Sequence, residues 1–93
     1  MKETKTQSYL VNEFAKSMKI ELKQNAYKGD WRNWDNVPEQ LEELDYHITK
    51  LKSAIKLYEG SNRNNMHVEL LVRELLADCG NILLMTGNSY NLY

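Results

Sequence analysis

The run from Leu41 to Tyr58 constrains this chain more than any other stretch. Its apolar residues are Leu41, Leu44, Ile48, Leu51, Ile55 and Tyr58, and the gaps between them alternate three and four. That alternation holds one stripe on an α-helix and gives a strand no consistent face. It is also the spacing of a coiled-coil-like seam, so the helix needs a partner of matching pattern. A second run provides one. Val68, Leu71, Leu75, Ile82 and Met85 follow the same logic, and Asp78 stands where the series asks for an apolar residue. Between the runs, Gly60 precedes Ser-Asn-Arg-Asn-Asn, a turn without apolar or β-branched residues. Together they predict a long antiparallel helical hairpin, with Leu51 facing Leu75 and Ile48 near Asp78.

An earlier helix is written every four residues, at Leu10, Phe14, Met18 and Leu22, with Val11 and Ala15 widening the stripe. The second helix has a marked start: Asn36 to cap it, Pro38 in its first turn and Glu39 three residues after the cap. Gly87 is the expected C-terminal cap of the third. The predicted fold is all-α, an N-terminal helix plus a long antiparallel hairpin, with helices over about 8–25, 37–59 and 66–86. The 93 residues of the chain make one domain, 1–93, whose core is marginal alone. Stripes this wide leave apolar surface exposed on a monomer, so assembly into a dimer or something larger is expected.

Composition narrows the partners. A net charge of −1 argues against a DNA or RNA duplex and against a membrane surface, which call for a basic excess. The single Cys79 rules out an internal disulfide and a cysteine-based zinc site, and its apolar neighbours predict a buried thiol. The polar start MKETKTQSY does not read as a secretory signal, and no run approaches the roughly 18 apolar residues of a membrane span. A cytoplasmic protein is expected.

Three local features carry chemistry. Glu74, Asp78 and Asn81 share one helical face, as do Glu43, His47 and Lys50 on the second helix. The hairpin brings the two sets together, either as a salt bridge that fixes register or as a ligand site. Two carboxylates, an imidazole and an ammonium make a poor magnesium cage, and zinc would need more His or Cys. The second feature is a loop with Tyr27, Lys28, Gly29, Asp30, Trp31, Arg32 and Trp34 within eight residues. Lysine and arginine hold phosphate, glycine admits it to the backbone, and aromatic rings stack on a base. The same tryptophans could plug the end of a bundle, and Asp30 opposes an anion. The third is Ala77, Cys79 and Gly80, a small-residue patch that permits either close helix approach or room for a ligand.

Three segments carry a resemblance: Asn25-Ala-Tyr-Lys-Gly-Asp-Trp31, then Asp45-Tyr46-His47 with Lys50-Leu51, then Ala77-Asp-Cys-Gly-Asn-Ile-Leu-Leu-Met85. Over about residues 14–88 the chain resembles two all-helical groups. One is the MazG-like nucleotide pyrophosphohydrolases. The other is the family of small phage proteins with an anti-CBASS or anti-Thoeris hairpin domain, which sequester cyclic nucleotide immune signals. The first implies Mg²⁺ held by a Glu-x-x-Glu pair and a Glu-x-x-Asp pair. Those positions fall on His47 and Lys50, and on Leu75 and Asp78, so only Asp78 matches. Glu74 stands one residue away, about 100° round the helix, and Lys50 puts an ammonium where a carboxylate belongs. The second implies a binder without turnover, holding cyclic oligonucleotides between protomers by an N-terminal aromatic and a lysine after the first helix. Tyr9 and Lys28 match those.

The resulting expectation is a non-enzymatic binding protein that sequesters cyclic di- or trinucleotide signals, works as a homo-oligomer (dimer or hexamer), and lies in the host cytoplasm if phage-encoded. Its ligand-binding residues are Tyr9, Lys28, Gly29, Trp31 and Arg32. His47, Lys50, Glu74, Asp78 and Asn81 form a structural cluster or a second pocket. No catalytic residue, metal or cofactor is expected. The alternative is a Mg²⁺-dependent MazG-like pyrophosphohydrolase, with Glu43, Glu74 and Asp78 on the metal and Glu42 or Asp45 assisting.

Overall fold

The computed structural model describes residues 4–25 and 35–93. Among these residues there are three helices and no strand: α1 (Gln7–Gln24), α2 (Val37–Gly60) and α3 (Met66–Ser89). None is long and apolar enough to cross a membrane. Each helix begins on a side chain that accepts from its first turn. Thr6 Oγ1 accepts from the Tyr9 amide at 3.1 Å, and Asn36 Oδ1 from Glu39 at 3.1 Å. Asn65 Oδ1 accepts from both His67 and Val68.

Helix α2 ends at Gly60, as expected. Helix α3 instead runs through Gly87 to Ser89, and each helix closes on an asparagine. Asn62 and Asn91 take φ of 57°, the left-handed conformation of a helix C-cap. Arg63 N–H then reaches Tyr58 O at 2.8 Å and Asn62 N–H reaches Glu59 O at 3.0 Å; Leu92 N–H to Gly87 O and Asn91 N–H to Asn88 O repeat the pattern. These are paired Schellman closures. Asparagine tolerates this conformation better than other residues with a Cβ. Gly87 instead lies inside α3, buried, where a Cβ would collide with the Tyr93 ring of the returning tail.

Helix α3 is central: α1 and α2 both pack on it and not on each other. The start of α2 lies at the end of α3. There the fully buried Gln40 donates from Nε2 to Ser89 Oγ at 3.0 Å, and its Oε1 accepts from Thr86 Oγ1 at 2.9 Å. A buried amide that meets hydroxyls with both ends avoids most of the desolvation penalty. The apolar core is thin. Among the described residues only Ala54, Leu75, Ala77 and Ile82 are its buried apolar members. Leu41, Ile55 and Leu71, all in the predicted stripes, stay 40–44% exposed, because each stripe is wider than the contact it makes.

The α1–α3 crossing rests on small residues. Ala77 is fully buried, and a Cβ added to Gly80 would stand 2.8 Å from Phe14 Cζ and 3.2 Å from Met18 Sδ. Of the two readings of the Ala77–Gly80 patch, close helix approach describes these two residues. Cys79 is half-buried, and burial, followed by the charge of Asp78, pushes its thiol above the ordinary value. Beside Gly80, Asn81 Nδ2 donates to the Met18 carbonyl at 3.0 Å.

Candidate functional site

A pocket of about 330 Å³ opens where the three helices meet. Glu21, Leu22 and Asn25 line it from α1, Glu43 and His47 from α2, and Glu74, Asp78, Asn81, Ile82 and Met85 from α3. The heptad packing of α2 on α3 turns the polar flank of each helix to this side, and α1 closes over it.

The groups within it are coupled. His47 Nδ1 lies 2.9 Å from the Glu43 carbonyl, which can only accept, so Nδ1 carries the hydrogen. The other ring nitrogen, Nε2, lies 3.8 Å from Asp78 Oδ2, and an ion pair there requires the doubly protonated ring. The Glu43 carboxylate is 3.5 Å from Nδ1. On the opposite wall Glu21 is only 8% exposed. Burial is the chief cause that pushes its carboxyl above the ordinary glutamate value. The charges of Asp78 and Glu74 push the same way, as does a hydrogen bond with Asp78 that requires a shared proton. Only the Asn25 amide, 3.2 Å from Glu21 Oε2, opposes them. Asn81 is 5% exposed, and its Oδ1 has no hydrogen-bond partner.

The structure therefore gathers His47, Glu74, Asp78 and Asn81 around one pocket. Glu74 shares it with Asp78 despite the offset in sequence, because the pocket spans the angle between α1 and α2 and not the α2 seam alone. Lys50 is not there. Its Nζ stands 4.7 Å from the Tyr46 ring centroid, on the exposed side of α2, so the pocket has four carboxylates and no lysine. Tyr9 is half-exposed at the start of α1, with Lys5 Nζ 5.4 Å from its ring centroid. Lys28, Gly29, Trp31 and Arg32 lie outside the described residues.

Glu21 and Asn25 were missed as site residues. Val11, Phe14, Met18, Glu21 and Asn25 form a three-four series of their own on α1. Read in that frame, Glu21 is an acidic residue at an apolar position, as Asp78 is on α3. The overlapping four-residue series Leu10, Phe14, Met18 and Leu22 masks it by centring the stripe on Leu22.

No protein-family model, curated protein or solved structure matches the chain significantly. The Mg²⁺ that the MazG-like resemblance implies does not fit the groups as they stand. Among the described residues no three of His, Cys, Asp or Glu come together closely enough to hold a metal ion.

Proposed function

We propose that the protein is a non-enzymatic binder that sequesters cyclic oligonucleotide signals. The observation that carries this reading is the Tyr9–Lys5 pair. It is an exposed ring beside an exposed ammonium at the free end of α1, the combination that stacks a base and meets a phosphate. The pocket cannot take the phosphate, because four carboxylates line it and like charges repel. Anion binding belongs instead to the Tyr9 end of α1 and, in this reading, to Lys28, Gly29, Trp31 and Arg32.

In the same proposal α2 and α3 are a hairpin that assembles with further copies, as a dimer or hexamer. Two measures support assembly. The chain exposes 7551 Å², against about 5,600 Å² for a compact monomer of its mass. Its radius of gyration is 14.7 Å, against about 12 Å for a compact chain of this length. Leu41, Ile48 and Ile55 on α2, with Val72, Leu76 and Leu83 on α3, lie on the flank away from α1, and four of the six are 40–56% exposed. Copies that met on this flank would bury these apolar side chains.

The test is a thermal-shift panel of cyclic di- and trinucleotides and nucleoside triphosphates, with and without Mg²⁺, followed by recovery of the ligand after denaturation. A ligand that binds only the folded chain raises its stability as RT ln(1 + [L]/Kd). The expected result is a shift with a cyclic nucleotide, unchanged on recovery, that Tyr9→Ala and Lys28→Ala abolish. A cleaved product sinks the proposal. The MazG-like alternative keeps one observation in its favour: Glu43, Glu74 and Asp78 line one pocket. It predicts Mg²⁺-dependent pyrophosphate release, and absence of release across the common triphosphates disposes of it.

A further inference from the structure

The inter-helix pocket is rich in acceptors and poor in donors. Glu21, Glu43, Glu74 and Asp78 bring four carboxylates from three helices, and His47 is the one side chain among its lining residues that can turn cationic. An acidic cluster alone says little, but Asn81 adds a separate fact. Its Nδ2 is held by the Met18 carbonyl, which fixes the amide, while its Oδ1, on a side chain of a residue 5% exposed, has no partner. A buried carbonyl left without a donor is destabilising. Carboxylates and orphan carbonyl alike call for a ligand that brings N–H groups and positive charge.

The spread of the carboxylates selects the kind of cation. Magnesium needs oxygen ligands converging on one point at about 2.1 Å, and among the described residues no such group exists. The charges of Asp78 and Glu74 act on Glu21, while Glu43 and Asp78 flank opposite nitrogens of the His47 ring. A volume of about 330 Å³ is also far larger than a single bare ion. Ammonium groups hydrogen-bond to carboxylates one by one, at about 2.8 Å, and do not need them to converge.

We propose that this pocket binds a linear organic polycation with two or more ammonium groups, one seated among Glu21, Asp78 and Glu74, another at Glu43. The inference does not rest on the nucleotide reading, since no phosphate takes part. Bound this way, the polyamine ties α1 to α2 across α3 through charge-assisted hydrogen bonds.

Titration calorimetry and thermal melts of the full chain with putrescine and spermidine test it, with MgCl₂ and ionic-strength-matched NaCl as comparisons. Spermidine is expected to bind with one site per chain and to raise the melting temperature beyond the NaCl effect. Each charge-assisted hydrogen bond lost should weaken binding by about tenfold, so Asp78→Asn and Glu74→Gln should each do so. Glu74 is solvent-exposed at the rim, and its variant tests the site without disturbing the core. Glu42→Gln, an exposed carboxylate outside the pocket, should bind as the parent does. A spermidine response no larger than that of matched NaCl overturns the proposal. So does equal weakening by Glu42→Gln, or displacement of spermidine by equimolar Mg²⁺.

Discussion

Helix α3 has two neighbours and meets them with different chemistry. Against α2 it presents an apolar seam, with Leu75 and Ile82 buried and Ala54 buried from the α2 side. The end of that seam is fixed by the Gln40 amide between Thr86 and Ser89. Against α1 it presents a glycine under a phenylalanine ring, one side-chain hydrogen bond to a backbone carbonyl, and carboxylates that repel one another. The first contact is held mainly by burial, which does not depend on the charge state of titratable groups. The second depends on the charge state of the pocket beneath it. Identical secondary structure thus yields one side that acts as a frame and one that responds to its solution.

The largest effect should come from the frame. Leu75 is 4% exposed at the centre of α3, and Leu75→Ala should cost about 2–5 kcal/mol. That is a large share of the whole stability of a domain this small. Chemical denaturation should show both sides of α3 lost in one transition. Retention of α2 on α3 with only α1 released would break the comparison, because it would make α1 and not the seam the site of Leu75's contribution.

Gly80 probes the other side alone. Gly80→Leu drives a side chain into Phe14 and Met18, and overpacking of this kind costs about 1–3 kcal/mol. The gain in helix propensity, about 0.8–1 kcal/mol, offsets part of that. Hydrogen exchange should report faster exchange across α1 with α2 amides unchanged. Equal loss of protection in α2 would show that the two contacts are one cooperative unit.

The frame was legible in the sequence and the responsive side only in part. The three-four spacing in α2 and α3 wrote out the seam, and its single violation, Asp78, flagged the pocket. The stop of α2 at Gly60 is legible, but that of α3 is not: glycine is the usual left-handed residue, so Gly87 reads as the cap, whereas Asn62 and Asn91 take the left-handed role at the two ends. Gln40 was invisible, since a glutamine in the first turns of a helix reads as surface until the end of α3 comes to cover it. Glu21 was hidden by the frame chosen for α1. The spacing from His47 places Lys50 in the cluster, yet a residue three further along α2 is turned about 60° away, enough to put a long side chain over Tyr46.

The smallest effect has the most telling sign. Glu21 is held above its ordinary value of 4.5 by burial and by the Asp78 and Glu74 charges, so the folded chain binds that proton more tightly than the unfolded one. The stability this proton confers is fully present below 4.5 and is lost as pH rises through the folded value. The groups that face it are Asn25 on α1, Glu43 and His47 on α2, and Glu74 and Asp78 on α3. Glu21→Gln keeps the shape and removes the charge. Thermal melts should therefore find the variant level with the parent at pH 4 and above it near pH 8. One kcal/mol of relief corresponds to about 4–8 °C in a domain of this size. A gain confined to high pH places the repulsion at the α1 side. A loss at pH 8 would mean that the ionised Glu21 is held more strongly by Asn25 than it is repelled by Asp78, and α1 would then be as firmly seated as α2.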